Sequence, residues 1–276
     1  EALQILMKIL GPVEKDEEEF RYGFRLMPIA QFVETNGLAH FDASMDALYE
    51  ITKRHTAEFA IRPFLLEHQK RTLAVLRKWV KDGSEDVRRL VSEGTRPRLP
   101  WASRLGPFVE DPNPVIALLT LLKDDPSLYV RRLAANNLND ISKDHPQLTI
   151  DTLRKWKLEG GEQVGWIIRH ALRGLVKDGD TKALALIGIG RPQLAMSRLK
   201  LEPRTVEFGN AISVKFELES RSRKPQRLVI DYIIHFVKSN GKPSPKVFKL
   251  STRTMKAGEK VKIERRHAFK PITTRK

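Results

Sequence analysis

The segment Val87-Arg-Arg-Leu returns as Val130-Arg-Arg-Leu 43 residues later, and Ile168-Arg-His-Ala falls in the same frame after a further 38. Working backwards, Arg54-His-Thr-Ala-Glu58 aligns with Arg89-Leu-Val-Ser-Glu93, 35 residues earlier. A period of about 35–47 residues belongs to chains in which each copy is a helix pair that cannot bury its apolar face alone, so the copies stack into a solenoid. The apolar spacing agrees. Val130, Leu133, Ala134, Leu138 and Ile141 share one helical face, as do Val164, Ile167, Ile168, Ala171, Leu172 and Leu175. Asn113-Pro114 and Asp125-Pro126 each set a capping side chain ahead of a proline suited to the first helical position. No persuasive strand interrupts this half.

Beyond about Ala195 the period changes from helical to two. Ile212-Ser-Val-Lys-Phe-Glu-Leu-Glu alternates apolar and polar residues, Leu228–Val237 is a second β-rich run, and Val247-Phe-Lys-Leu and Val261-Lys-Ile-Glu follow. Turn signals separate them: Glu207-Phe-Gly-Asn, Ser239-Asn-Gly-Lys-Pro and Lys256-Ala-Gly-Glu. The expected architecture is an all-α HEAT-like repeat solenoid over residues 1–190, then a small all-β sandwich of immunoglobulin-like type over 195–276, joined near Gly190-Arg191-Pro192. Only about five or six strands are countable. The chain also opens on Glu1 instead of a methionine. A piece of a longer protein, or a processed product, is therefore expected.

Composition narrows the function. The 276 residues contain no Cys, which excludes disulfides, thiolate zinc sites and cysteine nucleophiles. No apolar run approaches the roughly 18 residues of a membrane span, and no signal peptide is visible. Lys and Arg outnumber Asp and Glu by 50 to 34, a net charge of +16, which favours a polyanionic partner, most simply nucleic acid. The same excess also fits a merely basic, solvated surface.

Inside the helical half the repeat aligns chemistry as well as packing. Glu58, Glu93 and Asn136 occupy one equivalent position, four residues after Arg54, Arg89 and Arg132, and Asp140 lies one turn beyond Asn136 on the same side. Stacking is expected to gather these acids in a groove rimmed by Arg89, Arg131, Arg132, Arg169 and Arg173. Taken singly, each Arg and Glu at this spacing reads first as an exposed pair of little energetic weight. Acids that recur within a basic groove point further, because a phosphate-binding surface gains nothing from carboxylates.

In Ser92-Glu-Gly-Thr-Arg-Pro-Arg-Leu-Pro-Trp101 a helix is broken by Gly94 and two prolines enforce an extended course. Arg96, Arg98 and Trp101 are thereby presented on a stiff loop. Arginines bind phosphate bidentately and an indole stacks on a sugar or base, although Trp101 could equally anchor the loop in the core. Walker, dinucleotide, His-Glu-x-x-His and nucleophile-elbow signatures are all missing. His170 fits packing between repeats better than metal ligation. Carboxylates within a polyanion-binding groove suit hydrolysis of an N-glycosidic bond, whose transition state places positive charge on the sugar.

At these residues the chain resembles the HEAT-like-repeat DNA alkylation repair glycosylases, the AlkC and AlkD superfamily, and AlkC most. The resemblance rests on His55-Thr-Ala-Glu-Phe-Ala-Ile-Arg-Pro-Phe64, on Ser92–Trp101, and on Asn136-Asn-Leu-Asn-Asp-Ile-Ser-Lys-Asp-His-Pro146; the β-rich tail agrees with the immunoglobulin-like domain of many AlkC proteins. It implies a cofactor-free, metal-free and monomeric enzyme acting on double-stranded DNA in the bacterial cytoplasm and nucleoid. Such an enzyme excises cationic bases such as 3-methyladenine and 3-methylcytosine without base flipping. It further implies that Glu58 and Asp140 face the lesion nucleotide, that Glu93 assists, and that Trp101 packs on the deoxyribose. Arg89, Arg96 and Arg98 would bind flanking phosphates, with Arg131, Arg132, Lys143, Arg169 and Arg173 lining the DNA path. Arg221, Arg223, Lys224 and Arg227 in the tail read as a second DNA grip or as a solvated turn. The rival readings are a non-catalytic nucleic-acid-binding module and a protein-interaction adaptor on the same scaffold.

Overall fold

The computed structural model describes residues 2–13 and 25–270. They form two compact units, Glu1–Asp178 and Gly179–Lys276. The division comes at Gly179, which adopts φ +79°, ahead of the composition change at Gly190. The short helix Thr181–Leu186, capped by Asp180 through a 2.8 Å bond from the Ala183 amide, thus belongs to the second unit.

Among the described residues the first unit contains twelve α-helices: α1 Ala2–Lys8, α2 Met27–Asn36, α3 Phe41–Thr52, α4 Arg62–Glu67, α5 Gln69–Trp79, α6 Glu85–Gly94, α7 Gly106–Glu110, α8 Asn113–Leu121, α9 Leu128–Ile141, α10 Pro146–Glu159, α11 Val164–Ala171 and α12 Arg173–Lys177. The second members of successive pairs, α3, α6, α9 and α11, pack one upon the next and make an inner layer. Their interfaces are built from the periodic apolar positions. Leu90, Val130, Ala134, Leu138, Ile167 and Ala171 are all completely enclosed, each Val, Leu or Ile contributing roughly 1.5–3 kcal/mol relative to exposure.

The Arg-Arg pair within this repeat divides its labour. The first arginine of each pair curls back onto the turn that precedes its own helix. Arg88 Nη1 donates to the carbonyls of Asp82 (2.8 Å) and Gly83 (3.2 Å), and Arg131 Nη1 to those of Asp125 (2.5 Å) and Pro126 (2.8 Å). In both turns the aspartate accepts from the amide two residues on, Ser84 to Asp82 at 2.8 Å and Ser127 to Asp125 at 2.9 Å. Arg88 also grips Asp125 through both carboxylate oxygens, at 2.6 and 3.1 Å, tying one repeat to the next. The second arginine is spent differently in the two copies: Arg132 is exposed, whereas Arg89 is buried and bonded to Glu58 at 3.1 Å.

Two details differ from the sequence expectation. The prolines after Asn113 and Asp125 do not follow side-chain caps: α8 starts at Asn113 itself behind Pro112, and α9 starts two residues after Pro126. Arg54–Glu58 is not a helical copy of Arg89–Glu93. The chain leaves α3 at Thr52, and Glu58 sits in the irregular turn before α4, while Arg54 pairs with Glu50 at 2.7 Å and reaches the Gly11 carbonyl at 2.8 Å.

The second unit holds α13 Thr181–Leu186 and the strands β1 Leu194–Glu202, β2 Ala211–Ser220, β3 Gln226–Val237, β4 Pro243–Met255 and β5 Lys260–Ala268. An antiparallel sheet in the order β1-β2-β5 and a β3-β4 hairpin close on Phe216, Leu218, Leu228, Met255 and Ile263. Those residues come from the alternating positions, with Phe216 opposite Ile263 in the register. The turn at Lys256-Ala-Gly-Glu needs its glycine, since Gly258 adopts φ +67°. Strand β1 carries little alternation and was the strand that patterning did not pick out.

Candidate active site

The break in α6 organises the site. Gly94 closes that helix against the Glu58 turn so tightly that a Cβ there would meet Ile61 Cγ2 at 2.6 Å, so a glycine is required for the approach. The backbone groups freed by the break find side-chain donors. Asn137 Nδ2 donates to the Ser92 carbonyl (2.9 Å) and to Thr95 Oγ1 (3.0 Å). The buried Arg62 guanidinium holds three carbonyls, Gly94 at 3.2 Å, Arg96 at 2.9 Å and Ser103 at 2.6 Å. Burial, then the like charge of Arg96, pushes the Arg62 guanidinium down to about 10.

On this scaffold the three expected carboxylates come together. Arg96 Nη1 donates to Glu93 Oε1 at 3.0 Å and its Nε to Asp140 Oδ2 at 2.7 Å, so one guanidinium joins the two acids. Lys143 Nζ takes the other Asp140 oxygen at 2.9 Å. Arg89 Nη1 bonds Thr56 Oγ1 and, at 3.1 Å, Glu58 Oε2. Glu58, Glu93 and Asp140 are 8%, 7% and 2% exposed. Glu93 Oε2 is enclosed with no hydrogen-bond partner among the described residues. Burial pushes the Glu93 carboxyl up, against the pull of Arg96 and Arg89, and the nearby charge of Glu58 pushes the same way.

The loop beyond the break is stiff and ends in a bare indole. Arg98 grips Asp144 with Nε at 2.8 Å and Nη2 at 2.5 Å, holding the Asp144 carboxyl below the usual range. Trp101 stands 99% exposed with φ +64°. Non-glycine residues in the left-handed region cost about 1–3 kcal/mol, and such strain collects at functional positions. The core alternative for Trp101 is thereby removed.

The structure redistributes the expected cations. Arg89, Arg96 and Arg98 are bound to carboxylates rather than left open for phosphate, and Arg131 is buried on backbone carbonyls, where it is part of the scaffold. Arg132, Lys143, Arg169 and Arg173 are exposed. Arg173 Nη2 and His170 Nε2 both reach Asn136 Oδ1 at 3.0 Å, and His170 stacks on Trp166 with centroids 4.9 Å apart, which agrees with packing as its role. Asn136 itself joins this polar cluster instead of the carboxylates. Arg221, Arg223, Lys224 and Arg227 are exposed around the turn before β3, Arg221 pairing with Glu219 at 3.3 Å. Among the described residues no group of three or more His, Asp or Glu side chains is arranged to hold a metal ion.

Two residues at the centre were missed by sequence reasoning, Arg62 and Asn137. A lone cation inside Ala60-Ile-Arg-Pro-Phe64 was the available signal for Arg62, because a charge in an apolar run must find acceptors. Asn137 carried none beyond its place on the apolar side of α9.

Residues 195–276 match a family described as "Uncharacterised protein YhaZ, C-terminal Ig-like domain". The chain is 42% identical over 246 residues to the uncharacterized protein YhaZ of Bacillus subtilis (strain 168), an alignment covering 89% of this chain and 68% of that protein. It is likewise 42% identical to a solved structure, Pseudomonas fluorescens alkylpurine DNA glycosylase AlkC bound to DNA containing an abasic site analog. That comparison has a TM-score of 0.90 and covers 100% of this chain and 75% of the other.

Proposed function

This chain belongs to the AlkC family of HEAT-like-repeat DNA alkylation repair glycosylases, with an immunoglobulin-like domain at its C-terminal end, and on that footing we propose that it hydrolyses the N-glycosidic bond of cationic alkylated bases in duplex DNA. The bases in question are 3-methyladenine and 3-methylcytosine, excised without flipping into a pocket. The observation that carries the reading is the joining of Glu93 and Asp140 by Arg96, with Glu58 held close by on Arg89.

An alkylated base already carries positive charge, so it leaves as a neutral molecule and needs no strong acid. The electrons of the breaking bond go to the base, and positive charge develops on the deoxyribose. A carboxylate placed near that carbon stabilises the charge and takes the proton of the attacking water, whose oxygen bonds to the sugar. Glu58 is suited to this because only one of its oxygens is bound by Arg89 among the described residues. Asp140 becomes available when Lys143, half exposed, leaves its Oδ1 for a phosphate. Glu93 then holds Arg96 in place. Trp101 supplies an aromatic face for the deoxyribose, and Arg132, Lys143, Arg169 and Arg173 contact the backbone. The site needs no cofactor in this scheme, and the enzyme acts as a monomer on bacterial chromosomal DNA. Among the described residues no helix is long and apolar enough to cross a membrane.

The test is incubation with methylated duplex DNA and chromatographic identification of the released bases. Release of 3-methyladenine well above the spontaneous rate supports the enzyme. Binding with no release returns the chain to the non-catalytic rival, and weak binding with a shallow salt dependence to the adaptor.

A further inference from the structure

Tyr129 belongs to none of the motifs above, yet it stands on the stripe that carries them. On α9 the spacing Tyr129, Arg132, Asn136, Asp140 repeats every three to four residues and so falls on one helical face. Tyr129 lies about 16 Å before Asp140 along that axis, at about 1.5 Å per residue. Its ring covers Arg89, with the guanidinium carbon 5.4 Å from the ring centroid, and it is 42% exposed. The ring also lines a cleft of about 720 Å³ together with His55, Thr56, Ser84 and Ser127. Arg89 gives Nη1 to Glu58 while its buried Nε has no hydrogen-bond partner among the described residues. The Tyr129 ring therefore supplies a contact that the hydrogen-bond network leaves out.

We infer that Tyr129 is a second aromatic contact for DNA, meeting a nucleotide to one side of the lesion, at the end of the stripe away from Trp101. Arg98, three residues before Trp101, is bound to Asp144 just beyond the C-terminal end of α9, whereas Tyr129 stands near its start, which leaves the carboxylates between the two aromatic groups. One ring face is taken by Arg89. The exposed remainder offers an apolar body for a sugar or base and a hydroxyl for the backbone. Seating DNA there presses the ring onto Arg89 and keeps Glu58 in place. The inference rests on the proposed DNA glycosylase reading.

The experiment scans 5-iodo-2′-deoxyuridine through the positions flanking an abasic-site analogue in duplex DNA, irradiates the complex, and maps the cross-linked tryptic peptides. Cross-links to peptide 124–131 are expected from positions on one side of the lesion and to peptide 99–104, which holds Trp101, nearer to it. Tyr129→Leu is expected to lose the first cross-link and about tenfold in single-turnover excision, with thermal unfolding unchanged, and Tyr129→Phe to restore both. Cross-links at 99–104 with none at 124–131, or wild-type excision by Tyr129→Leu, overturn the inference and leave the glycosylase reading standing. Cross-links at neither peptide overturn the inference, and the glycosylase reading falls with it only if the parent chain also releases no base from methylated duplex.

Discussion

Arg96 Nε stands 2.7 Å from Asp140 Oδ2 across 44 residues of sequence, so the loop that follows the break in α6 is fastened to the last turn of α9 by a buried charge pair. Since the same guanidinium holds Glu93, its removal strands that enclosed carboxylate and leaves Asp140 with Lys143 alone.

Arg96→Met is accordingly expected to lower stability by about 3–5 kcal/mol, the usual cost of leaving a buried charge without its partner. Urea unfolding measures it. A loss below about 1 kcal/mol contradicts the enclosed pairing.

Glu93 adds a pH signature. Its carboxyl is held above the ordinary value of 4.5 in the folded state, so its protonated form is favoured by folding and its charged form is a burden. That contribution to stability is fully present below the ordinary value and is lost as pH rises through the folded one. Glu93→Gln is therefore expected to unfold at a higher temperature than the parent at pH 7, the gap closing as pH falls towards 4.5. A gap that widens on acidification contradicts the assignment.

Trp101 is exposed and held at positive φ, so it contributes nothing to the core. Trp101→Gly is expected to leave the melting temperature unchanged or raised, while single-turnover excision falls about 5- to 150-fold through loss of an aromatic contact of about 1–3 kcal/mol. Unaltered excision contradicts its place in the site.

Much of this was legible in the sequence, for identifiable reasons. The apolar faces of α9 and α11 and the alternation of β2 were readable because burial imposes its period on every residue. Glu93 and Asp140 were readable because both lie on helices of the repeat. Glu58 was reached through an alignment that the structure does not support, since its segment is a turn. The Arg-Arg pairs could not be apportioned from sequence. Whether an arginine meets a carbonyl, as Arg131 does, or faces outward, as Arg132 does, depends on a turn several residues upstream. Arg62 acts through carbonyls up to 41 residues away, a relationship that no local pattern encodes.

The two kinds of arginine separate experimentally. Arg132→Ala and Arg169→Ala are each expected to reduce the slope of log affinity against log salt by about 1, without affecting unfolding. Arg131→Ala is expected to lower the melting temperature and leave the slope unchanged. Fluorescence titration of labelled duplex at several salt concentrations reads the first effect, and calorimetry the second. The opposite pattern contradicts the division between scaffold and surface.

The most direct measurement is the single-turnover rate of 3-methyladenine release by Glu58→Gln and Asp140→Asn at saturating methylated duplex. Both substitutions keep shape and remove charge. Loss of about 2–4 kcal/mol of transition-state stabilisation predicts rates lowered about 30- to 1,000-fold with duplex affinity retained. Parental rates in both variants would contradict a carboxylate-stabilised sugar cation.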